Sequence, residues 1–164
     1  MPPHMKRILF VCTGNSCRSV MAHSLLQQRL KEMAHRLREP VEVGSAGVFA
    51  MEGLGASKET LRLLQRTGID ASSHMSRPLS DDMIRQADWI FVMEPFHQDE
   101  ILRRVPRAKD RVHLLKTFGL ADPEAAGDST IADPIGQPPE IYEICFALIR
   151  EAVDRVAQHL LSAT

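Results

Sequence analysis

Apolar residues along this chain fall into two alternating patterns. Short unbroken runs are separated by stretches in which apolar residues recur every three or four positions. Lys6 to Cys12 (KRILFVC) is the first such run, and it leads into the turn-rich Thr13-Gly14-Asn15-Ser16. This reads as a buried strand followed by a tight loop. From Cys17 to about Leu37 the spacing changes. Met21, Leu25, Leu26, Leu30, Met33 and Leu37 share one face of a helix, which Pro40 ends. Val41 to Ser45 is a second short strand, with Gly44 and Gly47 bracketing a turn. Ser57 to Thr67 reads as a helix with Leu61, Leu63 and Leu64 inward, stopped by Gly68.

Ser80 to Gln86 reads as another helix, with Ser80 as N-cap and Asp81 and Asp82 in its first turn. Ala87 to Met93 (ADWIFVM) is the clearest buried strand, with Trp89 in the core. Phe96 to Val105 follows as a helix and Arg111 to Leu115 as a strand. Ala121 to Pro139 is rich in Gly, Pro, Asp and Ser. A loop of about 18 residues in a small domain usually has a function. Glu140 to Leu161 closes the chain as a long amphipathic helix. Ile141, Ile144, Cys145, Leu148, Ile149, Ala152, Val156 and Leu160 line its apolar side.

Strands that are near-continuous apolar runs, alternating with helices, imply a parallel sheet covered on both faces. The expected fold is α/β: a three-layer α/β/α sandwich with a four-stranded parallel sheet. Ligands in such folds bind beyond the carboxyl ends of the strands. No repeat or linker divides the chain, so residues 6–162 are expected to form one domain and residues 1–5 an N-terminal extension.

Composition narrows the function. The 164 residues include 20 Lys and Arg against 21 Asp and Glu, for a net charge of −1. That balance argues against a nucleic-acid or membrane-surface protein. No apolar run is long enough to span a bilayer, and the first residues lack the apolar core of a signal peptide. The three cysteines, Cys12, Cys17 and Cys145, fit a reducing cytoplasm rather than a disulfide framework. Cys12 and Cys17 are too far apart in sequence for a zinc-ribbon pair, and no His accompanies them at ligand spacing, so no metal is expected.

The chemistry concentrates at the end of the first strand. Residues Cys12-Thr13-Gly14-Asn15-Ser16-Cys17-Arg18-Ser19 place a cysteine, five residues, an arginine and a serine on a strand–loop–helix junction. Backbone N–H groups of such a loop, with the helix N-terminus, cradle an anion. Arg18 can grip two phosphoryl oxygens in a fork. Cys12 lies at the floor, where the helix dipole favours its thiolate and in-line attack on phosphorus. Ser19 can stabilise that thiolate when it departs. Cys145 reads as core.

VCTGNSCRS, residues 11–19, resembles the phosphate-binding loop of the low-molecular-weight protein tyrosine phosphatase family. The likeness extends to Gly44-Ser45-Ala46-Gly47, to ADWIFVM and to a late Asp-Pro. It implies that family's flavodoxin-like fold and a phosphoprotein phosphatase needing no cofactor. The family takes its general acid from an Asp-Pro pair. Asp122-Pro123 and Asp133-Pro134 both offer one, and Ile135-Gly136 and Tyr142 downstream make Asp133 the better match. The resemblance also assigns Asn15, Ser19, Ser45 and His74 to a network supporting the loop. Cys17 has two readings: a reversible disulfide partner for Cys12, or packing at the helix start.

Departures from the family bear on specificity. Val20 replaces a frequent proline, and His23 a frequent acidic residue. Many tyrosine-directed members carry a bulky aliphatic residue where Ser16 stands and aromatics where Ile135-Gly136 stands. A branch acting on phosphoarginine is similar here in its small hydroxyl residue, in SAGVFA and in its Asp-Pro-x-Gly. Phosphoarginine and phosphotyrosine both stay open. The expected partners are a phosphorylated protein and the inorganic phosphate product, with the chain a monomer or weak homodimer. Two other classes share parts of the pattern. An arsenate reductase needs relay cysteines, and none lies between residues 80 and 95. A silent phosphopeptide-binding module has no use for Cys12 and Asp133 together.

Overall fold

The computed structural model describes residues 4–162. Residues 1–3, part of the stretch read as an extension, lie outside the described residues. One sheet contains β1 (Lys6–Cys12), β2 (Val41–Gly47), β3 (Trp89–Val92) and β4 (Val112–Leu114), in the order β2-β1-β3-β4. Every neighbouring pair is parallel. The helices are α1 (Arg18–Glu32), α2 (Lys58–Arg66), α3 (Asp81–Gln86), α4 (Pro95–Arg104) and α5 (Pro139–Ser162).

Alternation along the strands divides the core in two. Ile8, Phe10, Cys12 and Phe91 face α1, α2 and α5. Leu9, Val11, Ile90 and Val92 face α3 and α4. Burial on both faces is what makes these strands read as unbroken apolar runs. The chain moves from β1 to one side of the sheet and then crosses to the other. Its winding therefore reverses beside β1, which opens a crevice at the carboxyl end of that strand.

The expected sandwich is observed, with local corrections. The first helix stops at Glu32 rather than near Leu37. A 3-10 turn at Ala34–Arg36 follows, in which Arg36 N–H and Leu37 N–H bond to the carbonyls of Met33 and Ala34. This tighter turn satisfies terminal carbonyls and keeps Met33 buried. On α5, Ile141 is exposed and Ile144 is 58% exposed, whereas Tyr142, Phe146 and Val153 are buried. The buried stripe is centred one position away from the expected one. Trp89 is half-buried at the sheet end, with Lys6 Nζ 3.8 Å from its ring centroid. The late loop contains a 3-10 turn at Pro123–Ala126 and is pinned by buried Ile131, whose N–H bonds to Met93 O.

Gly44 and Gly47 do not bracket a turn. Both lie inside β2, paired with Leu9 and Cys12. Their role is close approach. A Cβ on Gly44 would stand 2.8 Å from Arg77 Nη2. One on Gly47 would stand 2.5 Å from Thr13 O and 2.9 Å from Asn15 N, both backbone atoms of the loop after β1. Gly47→Ala should therefore destabilise by about 1–3 kcal/mol, the usual cost of overpacking. Gly44→Ala should cost less, because a flexible side chain can yield. Thermal unfolding of the two variants checks the ranking; equal melting temperatures would contradict it.

Candidate active site

Cys12 is the last residue of β1 and is buried, and Arg18 is the first of α1. The five residues between them must reverse direction tightly. Asn15 makes this possible with φ +54°, the only positive φ at a non-glycine among the described residues. Among those residues, none accepts a hydrogen bond from the backbone N–H of Thr13, Gly14, Asn15, Ser16 or Cys17. Free amides around a cysteine at a helix start form an anion cradle.

A directional network holds the cradle from behind. Asn15 Oδ1 accepts from Arg77 N–H at 3.0 Å, which fixes the amide's orientation. Asn15 Nδ2 then donates to Ser19 Oγ at 2.8 Å and to Ser45 Oγ at 3.0 Å. Ser19 Oγ lies 2.9 Å from Cys12 Sγ. With Asn15 donating to it, Ser19 turns its own proton to the sulfur. His74 Nε2 bonds to Asn15 O at 2.8 Å. The expected group of Asn15, Ser19, Ser45 and His74 is thus assembled in space. His23, noted in the sequence only as a departure, joins it with Nδ1 3.0 Å from Ser45 Oγ. Burial, then the neighbouring charges of His74 and Arg77, lower the His23 pKa to about 4.

Arg18 is 1% exposed. Its Nη1 donates to Glu94 Oε2 at 2.7 Å and to Ile131 O at 2.8 Å. Its Nη2 donates to Thr13 Oγ1 at 3.3 Å and lies 3.6 Å from Asp133 Oδ2. Asp133 is thereby placed at the cradle, its Oδ1 accepting from Ile135 N–H at 3.1 Å. Asp122 instead precedes the exposed 3-10 turn and lines a surface cleft with Lys116, Leu148 and Arg155. Ser16 is half-buried, its Oγ 3.7 Å from Cys17 Sγ.

Cys17 caps α1 as a buried free thiol. It donates to Ser57 Oγ at 3.2 Å and lies 3.8 Å from Tyr142 Oη. Burial first, then Cys17, pushes the Tyr142 pKa up to about 12. Burial likewise pushes Cys145 up to about 12, consistent with core.

Glu94 and His97 were not anticipated from the sequence. They follow β3, the neighbour of β1, at its carboxyl end. The rule that ligands gather there was the available signal.

Residues 7–163 match the family model described as low molecular weight phosphotyrosine protein phosphatase. The chain is 41% identical to a protein-arginine-phosphatase of Geobacillus stearothermophilus over 94% of this chain and 95% of that one. A solved YwlE arginine phosphatase from Geobacillus stearothermophilus superposes with a TM-score of 0.83 at 40% identity, covering 96% of this chain and 94% of its own. A cysteine-to-serine variant of YwlE arginine phosphatase, solved with its active-site serine phosphorylated, gives 0.83 at 30% identity, covering 94% and 95%. A thiol cradle at the switch of a small parallel sheet thus meets its counterpart in known proteins, and the chain belongs to the low molecular weight phosphotyrosine protein phosphatase family.

Proposed function

We propose that this phosphatase hydrolyses phosphoarginine in proteins, with Cys12 as nucleophile and Asp133 as acid and base. The phosphoryl group enters the loop from Cys12 to Arg18. The Cys12 thiolate attacks phosphorus in line, the bond from phosphorus to the leaving nitrogen breaks, and Asp133 gives that nitrogen a proton. Arg18 and the loop amides stabilise the charge that develops on the phosphoryl oxygens. Asp133 then takes a proton from water as its oxygen attacks the phosphocysteine. The sulfur–phosphorus bond breaks, and inorganic phosphate leaves. Ser19 donates to the returning thiolate. The net reaction consumes one water and needs no redox partner.

The observation that carries the substrate assignment is the polar mouth. The half-buried Ser16 hydroxyl flanks the loop, and exposed Ile135 follows the acid where an aromatic wall would enclose a phenyl ring. A planar, polar guanidinium suits a hydroxyl better than an apolar slot does. The likeness to arginine phosphatases supports the same reading. One feature favours phosphotyrosine instead. Phe49 is 71% exposed, and its N–H is bound to Thr13 O at 2.9 Å, so an aromatic ring is available beside the loop.

Two experiments separate these statements. On an aryl phosphate, Cys12→Ser should abolish turnover, and Asp133→Ala should slow it about 10²–10⁴-fold, the usual contribution of a general acid. Asp122→Ala should leave the rate unchanged; the opposite ranking of the two aspartates would remove Asp133 from its role. On phosphoarginine and phosphotyrosine peptides, the wild type should prefer phosphoarginine. Ser16→Ile should shift the ratio of kcat/KM values toward phosphotyrosine by about tenfold or more. A phosphotyrosine preference untouched by that substitution would sink the arginine assignment.

A further inference from the structure

His97 occupies the first turn of α4 and is fully buried. The ring of Phe96 covers it, with centroids 4.2 Å apart. Its Nδ1 lies 3.1 Å from Glu94 N–H, a group that can only donate. Nδ1 therefore holds a lone pair, and the ring proton sits on Nε2. That Nε2 is 3.0 Å from Thr13 Oγ1 and donates to it. Arg18 Nη2 donates to the same oxygen at 3.3 Å. The other Arg18 nitrogen, Nη1, reaches Glu94 Oε2 at 2.7 Å and closes the ring.

A hydroxyl oxygen accepts two hydrogen bonds. Both positions on Thr13 Oγ1 are filled, one by His97 and one by Arg18. Its own proton is left to give. Thr13 stands in the anion cradle directly after Cys12, where the available acceptor is a phosphoryl oxygen. We propose that His97 is a positioning residue that commits the Thr13 hydroxyl to donate to the bound phosphoryl group. This rests on the phosphatase reading of the loop. Glu94, in the same turn between β3 and α4, holds the Arg18 guanidinium directly.

Helix capping alone does not account for the arrangement. It explains the contact of Nδ1 with Glu94 but not the aim of Nε2 at Thr13. Burial, then the charge of Arg18, lowers the His97 pKa to about 3, so the ring stays neutral and in one tautomer near neutral pH. Glu94 Oε2 lies 3.9 Å from Nε2 and does not displace Thr13 as its partner.

A double-mutant cycle tests the proposal. His97→Asn keeps an acceptor for Glu94 N–H but is too short to reach Thr13. Thr13→Val removes the hydroxyl. Each should lower kcat/KM on p-nitrophenyl phosphate about 10- to 100-fold, as expected for a lost donor to a charged acceptor. The double variant should be no slower than Thr13→Val alone. His97→Gln, whose amide restores an N–H at similar reach, should recover part of the rate; His97→Ala, which also removes the donor to Thr13, takes the place of His97→Asn in the cycle if that variant does not fold. Losses that multiply in the double variant would overturn the proposal, since His97 would then act on the fold. Full activity in His97→Asn would overturn it as well. The same cycle is read in the affinity for inorganic phosphate. If the wild type lacks Cys12-dependent turnover, the phosphatase reading fails, and the phosphate affinities still decide whether His97 acts through Thr13.

Discussion

A loop of free amide donors keeps its shape before an anion arrives only if other groups hold it. In this protein that constraint falls on Asn15. Its backbone supplies the positive φ that closes the loop. Its buried side chain binds Ser19, Ser45 and the Arg77 amide, and its carbonyl binds His74. Every polar group of this side chain is occupied behind the cradle, so the loop amides stay free to face the ligand. Gly47 makes the arrangement possible by letting the loop backbone lie directly on β2. The geometry of the cradle therefore depends on the sheet edge as much as on the loop.

The second requirement is a buried cation. Arg18 is almost wholly withdrawn from water, and an unpaired charge there is costly. Glu94 pairs with one guanidinium nitrogen, and Ile131 O binds the same nitrogen. The other nitrogen remains directed at Thr13 and Asp133, toward the cradle. Pairing on one side and an open direction on the other let Arg18 stay buried and still face the cradle. The late loop takes part through Ile131, whose buried side chain and bond to Met93 set where Asp133 stands.

These dependencies explain what could be read from the sequence. The strands and helices were legible because two-sided burial leaves unbroken apolar runs and one-sided helix burial leaves a stripe. Cys12, Arg18 and Ser19 were legible because the cradle is local, a single strand–loop–helix junction. Asp133 needed a family likeness to be preferred over Asp122, since two Asp-Pro pairs look alike until one is seen beside Arg18. Glu94 and His97 carry no local signal. Their importance comes from β3 lying next to β1, a tertiary fact. Gly47 was misread for a related reason: a glycine that admits a neighbouring backbone looks, in one dimension, like a glycine that makes a turn. Ile141 and Ile144 repeat at helical spacing, yet they lie on the flank of the stripe that α5 buries.

One device recurs through the site. A hydroxyl can give or accept, so by itself it does not specify a ligand's charge. Here two hydroxyls at the cradle, those of Ser19 and Thr13, receive hydrogen bonds from fixed donors. Asn15 donates to Ser19 and leaves the serine proton for the Cys12 sulfur. Asn15 also donates to Ser45, whose Oγ lies 3.0 Å from His23 Nδ1. His97 and Arg18 donate to Thr13. A Thr13 hydroxyl set as a donor favours an anion over a neutral ligand before any contact with it is made. That polarity is set by groups behind the reacting atoms, the Asn15 amide and the His97 imidazole, rather than by the ligand.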